Sequence, residues 1–436
     1  MSVTTVTRAL KLFPDKATAA IESEVKSLLA KGTFSGVHME QLTPTQTKKI
    51  LHSNMNVVEK YLPTLNSNGD RQIDKVKARF CVDGRAQVRE DYAADEVESP
   101  TASIAAIFTV AQIAAVENLF IMVGDVGSAY LNANKPMDKP DKILHMYIDN
   151  NVADAINKQN KSFAPFRRHN GGLVVRLDKA LYGCIESAKL WYNKIAGTLR
   201  SNGFMANPRD ICVFNKDVKG NQFTILVYVD GLKMTCVDKK AVLDMENILL
   251  KTHGQFRTAQ ERVLPYLGCM WDYTEPGFVE GTQIGMIQDL IPSREKSHAE
   301  RGMKLIGDPS SPGAPHLFER TLDCKFLNEK QAKALYLGNR TRPDIVLVLG
   351  ELCKRVKAPT TEDDKKLYRL ICYLWATRDK PLRLGCTLPM AVTVSIDAAF
   401  ANREQMKSTS RMCVTLGVGN FISSSKVRKL NSKSST

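Results

Sequence analysis

The stretch FTILVYVDGLKMTC, residues 223–236, constrains the fold more than any other part of the chain. Two runs of apolar and β-favouring residues flank the dipeptide Asp230-Gly231. Asp-Gly between such runs is the usual signal of a two-residue hairpin turn, in which both turn residues take positive φ. The stretch therefore predicts a β-hairpin with a carboxylate at its tip. Taken alone, it favours an ordinary turn over a functional acid.

A second carboxylate also ends an apolar strand. In NLFIMVGDVGSAYL, Asp125 follows the run LFIMV much as Asp230 follows FTILVYV. Asp125 alone is better explained as a residue that ends a strand or lies in a turn. If the two strands are neighbours in one sheet, however, their carboxylates converge and repel each other unless cations lie between them. Oxygen ligands favour Mg²⁺ or Mn²⁺, and two such ions suit in-line attack on a phosphate. The pair indicates a phosphoryl-transfer site.

Charge points to the same class of partner. Lys and Arg number 61 and Asp and Glu 46, which leaves a net charge of +15 and favours a polyanionic partner, usually nucleic acid or an anionic membrane surface. No apolar run approaches the roughly 20 residues that span a bilayer, and the N-terminus lacks the apolar core of a signal peptide. The ten cysteines are scattered singly. We expect a reduced protein of the cytoplasm or nucleus, without structural zinc and without a membrane partner.

Helical and strand patterns are interleaved irregularly, which predicts an α+β fold. We expect Asp15 to cap the first long helix and Gly32 to end it, and Thr43 to cap a short second helix. Residues 275–320, rich in Pro, Gly, Ser and charge, predict a long surface connection. Helices are predicted over residues 14–32, 42–51, 103–118, 187–203, 342–356 and 361–377.

Eight blocks of sequence follow one another along the chain. They are KARFCVDGRAQ, SPTASIAAIFTVAQIAA, DVGSAYLNA, LDKALYGCIESAKLWYNKI, FTILVYVDG, YLGCMWDY, TRPDIVLVLGELCKRV and SIDAAFAN with STSRMCVTLGVGNFISSSK. With these blocks in this order, the chain resembles the reverse transcriptase of copia-type retrotransposons, an RNA-directed DNA polymerase. The resemblance implies a fingers–palm–thumb polymerase fold with a truncated ribonuclease H-like sheet at the C-terminus.

The resemblance also implies a division into four parts. These are an N-terminal helical extension, fingers and palm, a thumb-like or connection-like helical region, and the truncated ribonuclease H-like segment. The corresponding ranges are 1–70, 71–275, 276–388 and 389–436.

In the family, the residues at the positions of Asp125 and Asp230 bind the metal ions through their carboxylates, and the residue at Val126 offers a backbone carbonyl. The implied cofactor is Mg²⁺ or Mn²⁺. The implied reaction is attack of a primer 3′-hydroxyl on the α-phosphate of a deoxynucleoside triphosphate. The implied partners are a primed RNA or DNA template and the deoxynucleoside triphosphates.

The resemblance assigns nucleotide contacts to four further positions. Lys77 and Arg79 would neutralise the triphosphate, Tyr130 would exclude a 2′-hydroxyl, and Gly183 would permit close backbone approach. Each has an ordinary alternative. The two cations fit a solvated strand face, Tyr130 fits core packing, and Gly183 fits a turn.

The hairpin tip departs from the family. Where the family reads Tyr-Val-Asp-Asp, this chain reads Tyr228-Val229-Asp230-Gly231, so the second carboxylate is missing. Glu186 and Ala188 stand where the family usually has Gln and Pro. We therefore expect an impaired polymerase. One alternative is a non-catalytic, nucleic-acid-binding remnant with the polymerase fold, and a weaker one is an unrelated basic α+β protein.

The last segment resembles the start of a ribonuclease H domain. Asp397 matches its first metal-binding Asp, whereas the chain ends before the helix that carries the next acid. AVTVSID, RMCVTLGV and NFISSS predict three strands. We expect the part after residue 388 to be the least stable unit of the chain and to be separable from the rest.

Overall fold

The computed structural model describes residues 3–65, 71–138, 142–290, 324–386, 390–400 and 408–427. Helices and mainly antiparallel sheets are interleaved along these residues, which confirms the α+β class. In these segments, no helix combines the length and the apolar character needed to cross a membrane. The cysteines whose side chains are described are free thiols. Most of the long connection expected over residues 275–320 lies outside the described residues.

The first sheet along the chain, the N-terminal sheet, has six strands. Its strands are β1 (Val3–Thr5), β2 (Phe34–Gly36), β3 (Leu51–Leu65), β4 (Arg71–Val82), β6 (His145–Ile148) and β7 (Leu173–Leu177). The order is β1-β3-β6-β7-β2, and β4 pairs with β3. Only β3 and β6 are parallel; the other pairs are antiparallel.

Four helices accompany the N-terminal sheet, and one of them, α3, has a side-chain N-cap. They are α1 (Val6–Leu12), α2 (Pro14–Ala30), α3 (Pro44–Lys48) and α6 (Asn150–Gln159). Thr43 caps α3 in a capping box with Gln46, as predicted. Asp15 lies in the first turn of α2 rather than at its cap, which is Phe13, because Pro14 occupies the first helical position. Helix α2 buries Val25 and Leu28 in a core that also contains Phe80.

The central sheet contains the predicted hairpin. Its strands are β5 (Phe120–Val126), β8 (Met205–Ala206), β9 (Val213–Val218), β10 (Asn221–Tyr228), β11 (Gly231–Cys236) and β12 (Phe256–Ala259). They lie in the order β12-β5-β11-β10-β9-β8, all antiparallel. Consecutive residues of β10 and β11 are buried, so both faces are covered, and this explains why the stretch is apolar throughout.

Four helices accompany the central sheet, and three of them contribute buried residues to its core. They are α4 (Ala94–Val97), α5 (Ile104–Val116), α7 (Ser187–Ser201) and α8 (Lys239–His253). Helix α5 buries Phe108, α7 buries Trp191 and Ile195, and α8 buries Leu249, all in one core with the strands. The predicted helices over residues 103–118 and 187–203 are therefore confirmed.

A third sheet and a helical cluster follow. The sheet consists of β13 (Val263–Tyr266), β14 (Cys269–Asp272), β15 (Phe278–Thr282), β16 (Leu382–Cys386) and β19 (Gly417–Val418), in that order. The cluster consists of α9 (Ile284–Gln288), α10 (Cys324–Gly338), α11 (Val346–Cys353) and α12 (Thr361–Ala376). Its core contains the apolar stripe of α12 from Leu367 to Trp375, whose residues recur at i, i+3, i+4, i+7 and i+8.

The predicted C-terminal strands are present as β17 (Thr393–Ala399), β18 (Thr409–Thr415) and β20 (Ile422–Val427), in the order β17-β18-β20. Val414, Leu416 and Phe421 of this region are buried in the same core as the central sheet. Strand β19 also pairs with β16. The last segment is thus joined to the body of the protein by both hydrogen bonds and buried side chains.

Sheets cross all three of the predicted domain limits. Strands β3 and β4 pair across residue 70, β14 pairs with β15 across residue 275, and β16 pairs with β19 across residue 388. The four-part division remains a prediction. The first part contains strands as well as helices, and it shares its largest sheet with the second.

Candidate active site

The hairpin tip differs by one residue from the turn that Asp-Gly predicts. Tyr228 pairs with Gly231, so the two turn residues are Val229 and Asp230. Val229 takes the positive φ, at 57°, whereas Gly231 opens strand β11 and is not among the glycines with positive φ. The expectation that Asp230 and Gly231 form the turn is therefore wrong. The turn does not require the conformational freedom of Gly231.

Tertiary contacts hold this turn. A β-branched residue rarely adopts the left-handed region, so the conformation of Val229 is strained. The indole N–H of Trp191 donates to the carbonyl oxygen of Val229 at 2.6 Å. The N–H of Val126 donates to the carbonyl oxygen of Asp230 at 2.9 Å. Helix α7 and strand β5 thus fix the backbone on both sides of the acid.

The sheet order brings the two predicted carboxylates together. Strand β11 lies between β10 and β5, and its first residue, Gly231, is directly opposite Asp125. Asp125 is exposed and Asp230 is half-buried. Burial, and next the charge of Asp125, raise the pKa of Asp230. The site therefore concentrates negative charge, which a bound cation would stabilise.

Position 231 has room for a side chain. A Cβ atom built there would lie 3.4 Å from the carbonyl oxygen of Tyr228, 3.7 Å from the Tyr266 ring and 3.8 Å from Leu267. These are ordinary van der Waals distances. Across the described segments, no cluster of three or more His, Cys, Asp or Glu residues could hold a metal ion. The site thus has two acids and space for a third.

Two of the predicted nucleotide contacts lie beside these acids. Tyr130 follows β5 in a short helical turn, and burial followed by the charge of Asp230 raises its pKa. Its ring centroid lies 4.6 Å from that of Tyr182. The guanidinium carbon of Arg79 lies 4.5 Å from the centroid of Tyr182. Sequence reasoning missed Tyr182, although it adjoins Gly183 in the block LYGCIES.

Arg79 and Lys77 both project from β4 near an acid of helix α2. Glu24 accepts a hydrogen bond from the N–H of Phe80 at 3.0 Å. Burial raises the pKa of Glu24, and the charges of Arg79 and Lys77 oppose that rise. The two cations are exposed residues of one strand, spaced by two, as a shared face requires.

Gly183 makes the close backbone approach that was expected, but to another strand of the protein. Its φ is +100°, and a Cβ atom there would lie 1.9 Å from the carbonyl oxygen of Val82. The N–H of Val82 donates to the carbonyl oxygen of Tyr182 at 2.8 Å. The loop is therefore fixed to the end of β4, and only glycine fits at position 183.

Asp397 lies apart from these residues. It is exposed on β17 and is opposite Arg411 on β18, in a three-stranded sheet that contains neither Asp125 nor Asp230. The structure does not join it to the hairpin acids.

The burial of three charged side chains, those of Lys135, Glu186 and Lys233, was not predicted from the sequence. Glu186, the departure from the family's Gln, forms a buried ion pair with Lys135 and accepts a hydrogen bond from Gln87 at 3.1 Å. Lys233, on β11, is 0% exposed and donates to the hydroxyl of Tyr273 at 2.5 Å. Burial lowers the pKa of Lys233 to about 7.

Comparison with known proteins identifies the family to which the chain belongs. A family model described as reverse transcriptase (RNA-dependent DNA polymerase) matches residues 52–269, half of the chain. The chain belongs to this family. The matched residues include Asp125, Asp230, Tyr130 and Arg79, while Asp397 lies outside them.

Relatives of this reverse transcriptase domain are polyproteins of transposable elements. The chain is 23% identical over 435 residues to a retrovirus-related Pol polyprotein from transposon TNT 1-94 of Nicotiana tabacum. The match covers 96% of this chain and 30% of that protein. The chain is 26% identical over 356 residues to the transposon Ty1-JR2 Gag-Pol polyprotein of Saccharomyces cerevisiae, covering 76% of this chain and 18% of that protein. The resemblance to copia-type elements is confirmed, and the chain spans less than a third of either relative.

A solved structure of a foamy viral protease-reverse transcriptase dRH in complex with ds DNA is a weak match. It is 13% identical with a TM-score of 0.44, covering 94% of this chain and 55% of that chain.

Proposed function

We propose that this chain is the RNA-directed DNA polymerase of a copia-type retrotransposon, impaired by Gly231. In the reaction a primer 3′-hydroxyl attacks the α-phosphate of a deoxynucleoside triphosphate and pyrophosphate leaves. One observation supports it above the others. The register of β5, β11 and β10 sets Asp125 beside the hairpin tip that carries Asp230.

Asp125 and Asp230, with the backbone carbonyl of Val126, would hold Mg²⁺ or Mn²⁺. The donors are oxygen atoms only, which suits these ions. Burial, and next the charge of Asp125, raise the pKa of Asp230, and a bound cation would relieve the repulsion between the two acids. When bound, such ions activate the attacking hydroxyl and neutralise the phosphate. With Gly231 in place of an acid, the residues offer one negative charge fewer, and we expect weaker metal binding.

The nucleotide would lie against the residues around Tyr182. Arg79 and Lys77 carry the positive charge that a triphosphate needs, and an arginine can bind phosphate in a bidentate manner. Tyr130 lies next to Asp230 and would exclude a 2′-hydroxyl by its bulk. The net charge of +15 favours the phosphate backbone of a primed template.

The alternative is a nucleic-acid-binding protein without polymerase activity. It is supported by the small number of acids at the site. Among the described residues, Asp125 and Asp230 have no third acidic residue close enough to complete a metal-binding group. We also propose that the last sheet, which carries Asp397, derives from a ribonuclease H domain.

Primer extension distinguishes the two functions. The unmodified chain, Asp125→Asn and Asp230→Asn are compared in Mg²⁺ and in Mn²⁺, alongside salt-dependent binding of the same primed template. The polymerase proposal expects slow extension by the unmodified chain that both Asn variants abolish, with template binding retained. Binding without extension by any variant, Gly231→Asp included, would establish the alternative.

A further inference from the structure

One aromatic ring connects the proposed phosphate contact to the proposed sugar contact. The guanidinium carbon of Arg79 lies 4.5 Å from the ring centroid of Tyr182, within the range of a cation–π contact. The ring of Tyr130 lies 4.6 Å from the same ring, with an angle of 37° between the planes. Tyr182 therefore contacts both groups.

The three residues come from different parts of the chain. Arg79 is on β4 of the N-terminal sheet, and Tyr130 follows β5 of the central sheet. Tyr182 lies between β7 and α7, in the loop whose backbone is fixed to Val82 at the end of β4. The ring thus bridges two sheets, and its own main chain is tied to the strand that carries Arg79.

The charge of Asp230 acts on both tyrosines of the stack. Burial raises the pKa of Tyr182 to about 12, and the charges of Asp230 and Glu24 add to the rise while Arg79 opposes it. Burial, and next the charge of Asp230, raise the pKa of Tyr130.

We propose that Tyr182 is a positioning residue for nucleotide selection, which holds Arg79 and Tyr130 as one stacked unit. The inference rests on the proposed function. With the ring in place, the group that would bind the triphosphate and the group that would exclude the 2′-hydroxyl cannot move independently. Without it, Tyr130 can swing away from the sugar and Arg79 loses its platform. Both the affinity for a deoxynucleotide and the discrimination against a ribonucleotide should fall.

The test is equilibrium binding, so it does not depend on catalysis. The full chain, with a primed template whose primer lacks a 3′-hydroxyl, is titrated in Mg²⁺ with the matching deoxynucleoside and ribonucleoside triphosphates. Tyr182→Leu should bind the deoxynucleotide about three- to tenfold more weakly and lower the ratio of the two affinities by a similar factor. Tyr182→Phe, which keeps the ring, should stay within about twofold of the unmodified chain.

Tyr147→Leu is the matched control. Tyr147 is also half-buried and also contacts a ring, that of His52 at 5.8 Å, but neither Arg79 nor Tyr130. It should change neither the affinity nor the ratio. Arg79→Lys keeps the charge without the planar group, so it should lower affinity and the ratio. In the double variant with Tyr182→Leu, the loss of affinity should be smaller than the sum of the two single losses in binding free energy.

The outcomes separate this inference from the proposed function. If the unmodified chain binds neither triphosphate, both fail. If the unmodified chain prefers the deoxynucleotide and Tyr182→Leu keeps both the affinity and the ratio, only the role of Tyr182 is overturned. Should Tyr182→Leu fail to fold, an unchanged ratio in Arg79→Lys overturns it instead.

Discussion

The indole N–H of Trp191 donates to the carbonyl oxygen of Val229 at 2.6 Å, so helix α7 holds the strained turn that presents Asp230. Phenylalanine at position 191 would keep an aromatic ring but leave that carbonyl without its donor. An unpaired, partly buried polar group destabilises a fold by about 1–3 kcal/mol. The loss should also loosen the turn and with it the position of Asp230.

Trp191→Phe should therefore lower both the free energy of unfolding and the affinity for Mn²⁺, measured by denaturation and by metal titration. Trp271→Phe is the control. Its indole N–H donates at 3.1 Å to the main-chain carbonyl oxygen of Tyr266 and not to a residue of the turn. It should lower stability and leave Mn²⁺ affinity unchanged. Equal metal affinities in the two variants would contradict the proposed role of Trp191.

Lys233 should make stability depend on pH. Its pKa is lowered from 10.5 in the unfolded chain to about 7 in the fold, by burial. Between these values the unfolded chain binds more protons, so this group's contribution to stability rises with pH above 7, by up to about 1.4 kcal/mol per pH unit. Buried thiols such as Cys184, whose pKa is raised from 9.0, oppose the rise above pH 9.

The comparison of Lys233→Met with the unmodified chain isolates this effect. The variant should be more stable at pH 7, by about 1–4 kcal/mol, because no charge has to be neutralised on folding. Its advantage should shrink steadily from pH 7 to pH 9 in urea denaturation. Lys240→Met, at an exposed position, should show no such trend. A pH-independent advantage would mean that Lys233 is not the titrating group.

The buried pair of Lys135 and Glu186 should respond to restoring the family's residue. Glu186→Gln removes the partner of a buried ammonium group, which typically destabilises a fold by about 3–5 kcal/mol. Lys135→Met combined with Glu186→Gln removes both charges and should recover most of the loss. Denaturation midpoints measure both. A double variant no more stable than the single one would show that the pair is not coupled.

The C-terminal strands should contribute to the stability of the whole chain. Phe421 is buried in the central core, whereas Ile396 on β17 is 74% exposed. Phe421→Ala should destabilise the protein by about 3–5 kcal/mol and Ile396→Ala by less than about 0.5 kcal/mol. One cooperative transition is expected in both. A separate early transition in Phe421→Ala would restore the expectation that this segment is an independent, weaker unit.

Local patterns predicted the elements better than the contacts between them. The apolar runs around Asp125 and Asp230 were long enough to specify strands, and the resemblance supplied their adjacency. The residue of positive φ was misplaced because a hydrogen bond from Trp191, 38 residues away, imposes it on Val229. No rule of local propensity assigns a valine to that conformation.

The burial of Lys233 was equally hidden. A lysine within a β-prone run ordinarily faces water. The side chains that enclose Lys233 are those of Tyr266, Trp271 and Tyr273, and Tyr273 lies 40 residues further along the chain. The same holds for Lys135 and Glu186, which lie 51 residues apart. Tertiary packing determines the burial of these residues, and no periodic pattern in a single sequence indicates it.

Primer extension by Gly231→Asp tests the central claim most directly. The position accepts a side chain at ordinary contact distances, and Gly231→Asn is a neutral control of the same size. In Mg²⁺ the Asp variant should extend a primer about a hundredfold faster than the unmodified chain, because it restores a negative charge at the proposed metal site. The Asn variant should show no gain. Equal rates for the unmodified chain and the Asp variant would contradict the claim that the missing carboxylate limits this polymerase.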